Sequence, residues 1–558
     1  MEHNTVQLQG VGVGRGVAVG LVLTMPEPLP EPAEQKHGGD AAAEKAAVST
    51  AVTAAAAELQ ARAEKADGAG KEVIEAAIQM AQDPMLADDV TARIDAGTTG
   101  ERAVFEAFRS FQEQLIALGG YMAERSTDLG DVAQRIIAQL RGVPVPGVPE
   151  SNTPFILIAR DLAPADTALL DLNKVRGLIT RDGGPTSHTA ILARAKSIPA
   201  IVGVGADAAI ADGTRVVLDA GSGVVTVDPS DEQVADARKR IADRAAQAAA
   251  PITDGALADG TKIPLLANLG SPKDAADAVA LGAEGVGLFR TEFLFLDAQT
   301  APTVADQQQQ YTELLSHFPG KKVVVRALDA GADKPLAFLN DAHEENPALG
   351  VRGLRALRAK LQILTDQLEA LKNAQDETAA SGAPADLWVM APMVADAGET
   401  RYFVEYGKQL GLKTVGVMAE VPSLALVAEQ VAQIADFVSI GTNDLTQYTL
   451  AADRMLGTVA SYQDPWHPAV LRLVKMLGDA GAAAGKPVGI CGEAAADPQL
   501  AVVLVGLGAT TLSMTPAALA DVRTELAGVT LEQARAKAIA AIAAESAAGA
   551  RAAAAAVA

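Results

Sequence analysis

From Lys262 onward, short apolar runs alternate with stretches of helical spacing. The runs are Ile263–Asn268, Gly285–Arg290, Lys322–Leu328, Leu387–Met393, Thr414–Glu420, Phe437–Thr442, Pro487–Cys491 and Thr510–Met514. Apolar runs of this length, separated by helix-period segments, read as buried parallel strands. Eight of them over roughly 280 residues predict a (β/α)8 TIM barrel. The first half is patterned differently. Val6 to Thr24 alternates apolar residues with glycines, as short strands would, and gives way to the Pro-rich Met25 to Pro32. From about Asp40 to Arg141, Ala, Glu, Gln and Lys dominate and apolar positions fall at helical spacing, which predicts helices. Strand signals resume at Phe155 to Ile158 and continue to Val225-Thr226-Val227.

The expected fold class is α/β. An N-terminal α/β domain, residues 1–230, carries an inserted helical subdomain at about 35–142. A charged helical linker at 231–255, closed by Ala250-Pro251-Ile252, leads to the barrel at 256–533. The Ala-rich segment 534–558 has helical propensity but little amphipathic pattern, so frayed helix or disorder is expected there, without a function.

Composition narrows the class. The 558 residues are 49% hydrophobic but only 3% aromatic, so the cores must be built from Ala, Val, Leu and Ile. A formal net charge of −23 argues against a nucleic-acid partner, which needs basic patches, and fits a cytoplasmic protein able to attract a basic partner. Cys491 is the single cysteine, which excludes an intramolecular disulfide and Cys-rich metal sites. The start of the chain lacks a secretory pattern, and no apolar run is long enough for a membrane helix.

Chemistry concentrates in two places. Gly183-Gly184-Pro185-Thr186-Ser187-His188-Thr189-Ala190 puts a histidine in a Gly-rich turn between a strand-like run, Val175 to Thr180, and a helix-like one from Thr189 to Ala195. Near a helix N-terminus, unpaired N–H groups stabilise the anion of a phosphorylated side chain, and the hydroxyls of Thr186, Ser187 and Thr189 add donors. The plain alternative is a capping or surface histidine. The second concentration is at the ends of the barrel runs: Asn268, Arg290, Arg326, Met393, Glu420, Asn443 with Asp444, Cys491 and Ser513. Catalytic groups of such barrels lie there. Arg290, Arg326 and the nearby Arg352 suit a bidentate clamp on a phosphorylated acid, against the alternative of surface ion pairs. Glu420 and Asp444 offer two oxygen ligands for a hard cation such as Mg²⁺. A free cysteine is usually a buried small apolar residue, but the rim position of Cys491 favours chemistry.

Longer strings sharpen both. Asp161-Leu162-Ala163-Pro164-Ala165-Asp166-Thr167, Gly183 to Arg194 and Ile198 to Gly203 resemble the phosphohistidine domain of the PEP-utilising enzymes: enzyme I of the sugar phosphotransferase system, pyruvate phosphate dikinase and phosphoenolpyruvate synthase. Gly285 to Phe295, Ser439 to Tyr448, Val417 to Pro422 and Cys491-Gly492-Glu493 are similar to the phosphoenolpyruvate-binding barrel of the enzyme I family. Together the motifs cover nearly the whole chain. The resemblance implies that His188 is phosphorylated, that Thr167 supports it, and that Arg290, Arg326, Arg352 and Arg454 bind the substrate phosphate. It further assigns Asn443 to the substrate, Glu420 and Asp444 to Mg²⁺, and Cys491 to protonation of the enolate carbon. Pro185 departs from the arginine that many enzyme I sequences carry.

Domain order separates the relatives. The dikinase and synthase carry a large ATP-grasp domain ahead of the histidine domain, whereas only about 150 residues, with no evident Gly-rich nucleotide loop, precede it here. The nitrogen-related variant would need an additional sensory domain. The insertion resembles the enzyme I subdomain that docks the phosphocarrier protein HPr, with acidic candidates such as Asp83, and the family implies a homodimer through the barrel. Two other classes remain comparators: a barrel lyase or aldolase for which His188 is dispensable, and a non-catalytic phosphocarrier or sensor.

Overall fold

The computed structural model describes every residue except 1–5, 15, 27–28, 65–68, 119, 144–146, 150, 163–169, 172, 184–188, 191–192, 194–197, 206–209, 249–251, 296–297, 299, 331–335, 337, 340–343, 455, 457–458, 460–461 and 558, and the side chains of 69–73, 118, 120–125, 127 and 247–248. The chain divides into two compact units, Met1–Ala245 and Ala246–Ala558.

The first unit is a mixed sheet with a helical insertion. Strands β1 (Val6–Gln9), β2 (Val11–Val13) and β3 (Val17–Thr24) precede helices α1 (Ala41–Ala63), α2 (Ala69–Ala81), α3 (Pro84–Asp95), α4 (Gly100–Leu118) and α5 (Gly120–Arg141). Strands β4 (Phe155–Ala159), β5 (Val175–Thr180), β6 (Ala200–Val202), β7 (Arg215–Asp219) and β8 (Val224–Val227) follow, then α6 (Asp231–Ala248). The sheet order is β1-β8-β7-β3-β4-β5-β6-β2, with β3 to β6 mutually parallel at its centre. Every residue of β4 is buried, because Phe155, Leu157 and Ala159 join one apolar cluster and Ile156 and Ile158 join another on the opposite face. That two-sided burial explains why β4 reads as a continuous apolar run.

The insertion has its own core. Val48, Ala51, Ala55 and Leu59 form the buried stripe of α1 and pack with Val90, Ile94, Val104, Phe108, Val132 and Ile136. Asp83 caps α3: its Oδ1 accepts from the N–H groups of Met85 at 2.7 Å and Leu86 at 3.4 Å, ahead of Pro84 in the first turn. The carboxylate proposed for docking is therefore engaged in holding its own helix.

The second unit is a closed parallel barrel of β9 (Leu265–Leu269), β10 (Val286–Phe289), β11 (Lys322–Arg326), β12 (Asp386–Ala391), β13 (Thr414–Ala419), β14 (Val438–Gly441), β15 (Val488–Cys491) and β16 (Thr511–Met514). One strand lies within or at each of the eight apolar runs. Val323, Val325, Val415, Val417, Ile440, Ile490 and Leu512 face the surrounding helices, in one core with Leu364, Leu368, Leu471 and Leu500. Burial of each such side chain is worth roughly 1.5–3 kcal/mol. Val324, Met390, Met418, Phe437 and Cys491 fill the barrel interior.

The Ala-rich segment departs from expectation. It is helical over Leu531–Ala543 and Ala547–Ala556, and Ala534, Ala538, Ala541, Ala550 and Ala554 are buried in the barrel's outer core. Gly506 permits the approach, since a Cβ there would lie 2.1 Å from the Ala534 carbonyl oxygen. Small side chains on both sides let two helices touch closely without an amphipathic stripe that hydropathy could register.

Candidate active site at the barrel mouth

Strand parity decides which side chains reach the mouth. In β11, Val323 and Val325 point outward, so Lys322, Val324 and Arg326 share the inner face and Arg326 ends it. The same alternation carries Met418 inward in β13 and puts Glu420, the next residue of that parity, just past the strand. Cys491 closes β15. Asn443 and Asp444 lie beyond a strand end, in the first turn of the helix Thr442–Leu450 that follows β14.

The arginines are bound into a carboxylate network. Arg326 Nη2 donates to Glu292 Oε1 at 2.8 Å, and Nη1 stands 3.2 Å from Asp329 Oδ2. Arg352 grips Asp329 with two arms, Nη2 to Oδ2 at 2.7 Å and Nε to Oδ1 at 3.2 Å, while Nη1 reaches Asp444 Oδ1 at 3.2 Å and Tyr448 Oη at 3.1 Å. Gly353 makes this turn possible: its φ is +57°, and a Cβ would stand 2.7 Å from that of Met393. Desolvation disfavours both guanidinium charges, but Glu292 and Asp329 outweigh it for Arg326, and Asp329 and Asp444 for Arg352, so both pKa values rise above the ordinary arginine range. Burial likewise opposes the Asp329 charge, yet Arg326 and Arg352 hold its pKa below the usual range.

Glu420 is the opposite case. Burial, then repulsion from Asp444 and Asp329, pushes its carboxyl up to about 8, against the pull of Arg326 and Arg352. Its Oε1 accepts the Met393 N–H at 2.6 Å, and Met393 takes a positive φ of 56° to present that group. Met393 thus serves through its backbone. Asn443 Oδ1 accepts the Glu493 N–H at 3.2 Å, joining the segments after β14 and β15. Among the described residues no group of three or more His, Cys, Asp or Glu is arranged to hold a metal ion. Glu420 and Asp444 are the pair available to a cation that draws its remaining ligands from substrate and water.

Cys491 is only 2% exposed, packed among the interior apolar side chains. Its Sγ accepts from Ser439 Oγ at 3.2 Å and donates to the Ile440 carbonyl at 3.4 Å. Burial pushes the thiol up to about 11, so it stays protonated at neutral pH. Arg290 directly follows β10 and keeps contact with solvent; desolvation and then the charge of Arg326 lower its pKa. Arg454 is held by its backbone, its N–H donating to Gln447 Oε1 at 2.9 Å.

Not every candidate joins this group. Ser513 Oγ donates to Asn268 Oδ1 at 2.6 Å, so these two strand-end residues satisfy each other across the β16–β9 seam. Thr167, Pro185, Thr186, Ser187 and His188 lie outside the described residues. Thr189, expected to offer a donor near His188, is buried with its hydroxyl donating to Asp161 Oδ1 at 2.7 Å. Glu292, Asp329 and Tyr448 were not singled out from sequence. Glu292 and Tyr448 sit inside quoted motifs, and Asp329 follows β11 by three residues, so the strand-end rule extended by one turn would have found it.

The architecture places the chain among the (β/α)8-barrel enzymes. Three family models match it: PEP-utilising enzyme, N-terminal, at residues 9–125; PEP-utilising enzyme, mobile domain, at 152–223; and PEP-utilising enzyme, PEP-binding domain, at 244–531. The chain is 52% identical over 521 residues to the phosphoenolpyruvate-protein phosphotransferase of Streptomyces coelicolor, covering 93% of each chain. It is 41% identical over 479 residues to the protein of the same name from Haloferax volcanii, covering 83% of each. An NMR solution structure of an Enzyme I protein is 32% identical, with a TM-score of 0.40 over 43% of this chain and 99% of that one. The chain belongs to the PEP-utilising enzyme family.

Proposed function

We propose that the protein transfers the phosphoryl group of phosphoenolpyruvate to its own His188 and then to a histidine of the phosphocarrier HPr, releasing pyruvate, as the first step of a sugar phosphotransferase system. The observation that carries this reading is the convergence of Arg326 and Arg352 on Asp329 at the barrel mouth, with the Arg326 charge acting on the buried Cys491 thiol that closes a nearby strand. The names of the relatives, phosphoenolpyruvate-protein phosphotransferase, support it. On this reading Arg290, Arg326, Arg352 and Arg454 take the phosphate oxygens, and Asn443 orients the substrate. The raised pKa values of Arg326 and Arg352 keep those two charged throughout the physiological range.

Mg²⁺ fits the carboxylates present. Glu420 is pushed up to about 8 by burial and by neighbouring carboxylates, an excess of negative charge that a divalent cation relieves, and Glu420 and Asp444 would hold it. Bound there, it would supply positive charge to offset that of the transferring phosphoryl group. Neutral His188, supported by Thr167, attacks phosphorus with a ring-nitrogen lone pair. The P–O bond breaks toward the enolate oxygen, and the arginines balance the charge spread over the equatorial oxygens. The Cys491 S–H then protonates the enolate carbon, giving pyruvate and a thiolate. The helical insertion docks the phosphocarrier, and the barrel forms a homodimer in the cytoplasm.

Incubation with labelled phosphoenolpyruvate, Mg²⁺ and a phosphocarrier, followed by mapping of the labelled residue, tests the scheme. His188→Ala is expected to abolish the acid-labile phosphoenzyme while phosphoenolpyruvate binding survives. Acid-labile phosphate persisting in the variant would sink the assignment.

A further inference from the structure

The two Ala-rich C-terminal helices are tied by polar contacts to the connections that follow β14 and β15. Arg551 forks onto Asp464, Nη1 to Oδ2 at 2.8 Å and Nη2 to Oδ1 at 2.9 Å, and its guanidinium lies 5.5 Å from the Trp466 ring centroid. Asp464 Oδ1 also accepts the Trp466 backbone N–H at 3.0 Å. Trp466 is buried, and its indole N–H donates to Asp497 Oδ2 at 3.0 Å. Asp497 in turn caps the helix Pro498–Gly506 through the N–H groups of Gln499 and Leu500. Asp464 and Trp466 belong to the connection that carries Arg454, whose two ends are tied by the Gln463 side-chain amide donating to the Ala452 carbonyl, and Asp497 belongs to the one that begins after Cys491.

The helices are anchored well enough to act as a support. Arg472 donates from Nη2 at 2.9 Å and Nε at 3.2 Å to the Ile542 carbonyl, at the end of the first helix. Lys537 reaches the carbonyls of Ala554 at 3.1 Å and Val557 at 2.6 Å, fastening the second helix to the first. A planar fork that also stacks on an indole fixes orientation as a point charge does not.

We propose that the C-terminal helices are a positioning brace: Arg551, through Asp464 and Trp466, holds the connection bearing Arg454 against the one that follows Cys491 and thereby tunes affinity for the phosphoryl donor. The proposal rests on the reading of Arg454 as a phosphate ligand. On that reading Arg454 grips the phosphate alike before and during transfer, and loosening such uniform binding raises KM while leaving kcat little changed.

The test uses the full-length protein with phosphoenolpyruvate, Mg²⁺ and a phosphocarrier, and Trp466 emission read in a Trp388→Phe background. Arg551→Ala is expected to raise KM for phosphoenolpyruvate roughly two- to fivefold, the range for a partly exposed ion pair, with kcat nearly unchanged and Trp466 emission shifted. Arg551→Lys should not restore KM, whereas the exchange Arg551→Asp with Asp464→Arg should restore part of it. A wild-type KM in Arg551→Ala overturns the brace, even if the variant melts earlier, and so does a loss confined to kcat. Absence of phosphoenolpyruvate-dependent labelling in the unmodified protein would overturn the functional reading instead, and it is seen before any variant is compared.

Discussion

Arg135 in the helical subdomain and Arg352 at the barrel mouth are both buried arginines gripping carboxylates, but their surroundings differ in kind. Arg135, with a side chain 0% exposed, bonds Asp131 one turn earlier on its own helix at 2.7 Å and Glu58 of α1 at 3.0 Å, pinning α5 to α1. Its acids lie on separate helices and each meets a cation. At the mouth, Asp329, Asp444 and Glu420 face one another as well as the arginines, and the imbalance surfaces as the raised Glu420 pKa. Arg326 Nε and Thr442 Oγ1 are buried donors there with no hydrogen-bond partner among the described residues, whereas the helical network leaves a carboxylate oxygen, Glu58 Oε2, in that state. A network that pairs helix to helix spends its charge on architecture. One left with crowded carboxylates and idle donors is prepared for a ligand that is itself charged.

The largest expected effect lies at the mouth. Cys491→Ala should lower kcat by about 10²–10⁴-fold, the usual worth of a placed proton donor, with phosphoenolpyruvate affinity little changed in a binding assay. Normal turnover would return Cys491 to the interior packing cluster it also belongs to.

The two arginine networks are separated by a pair of substitutions. Arg135→Met takes from Asp131 its ion-pair partner and leaves Glu58 to Arg62, and should cost the helical subdomain about 3 kcal/mol in denaturant unfolding, the low end for breaking a buried pair, leaving phosphoenolpyruvate binding intact. Arg352→Met should abolish that binding. Equal losses of binding in both variants would erase the distinction.

Glu420 supplies a pH test of the crowding. Between its ordinary value of 4.5 and about 8, the folded barrel keeps a proton that the unfolded chain has released. This group's contribution to stability is therefore greatest on the acid side and declines as pH rises through that window. Thermal melts of metal-free protein between about pH 5 and pH 8 should show the decline, Mg²⁺ should offset it, and Glu420→Gln should flatten it. An equal slope in the Gln variant would place the repulsion elsewhere.

The smallest effect belongs to Asp83. Loss of its cap in Asp83→Ala should destabilise the helical subdomain by about 1 kcal/mol, while phosphocarrier affinity at fixed salt stays unchanged in titration calorimetry. A drop in affinity larger than the drop in stability would make Asp83 a docking residue as well as a cap.

Much was legible before folding is considered. The eight barrel strands announced themselves because parallel strands covered on the outside need unbroken Val, Ile and Leu runs, and among the described residues five helices fill the stretch where Ala, Glu and Gln dominate. Arg326, Glu420 and Cys491 were marked by standing at run ends, and the Gly-rich turn marked His188, which lies outside the described residues. Asn268 and Ser513 stood at run ends too, yet they bond each other across the seam where the barrel closes. No local pattern distinguishes a strand-end residue that finds a neighbour from one left for substrate. The C-terminal helices escaped for another reason: their contacts depend on small side chains meeting small side chains, which leaves no hydropathy contrast.

What the sequence by itself determined, then, is the order and type of the elements and the side chains they project, because period, propensity and turn chemistry act between residues close along the chain. Tertiary structure alone decided which of those side chains meet. Arg352 reaches Asp444 across 92 positions, and Arg326 meets Glu292 across 34. Those distances in sequence collapse only when the barrel closes and its register brings the strand ends to one rim, and only that closure puts the carboxylates near enough to raise the pKa of Glu420.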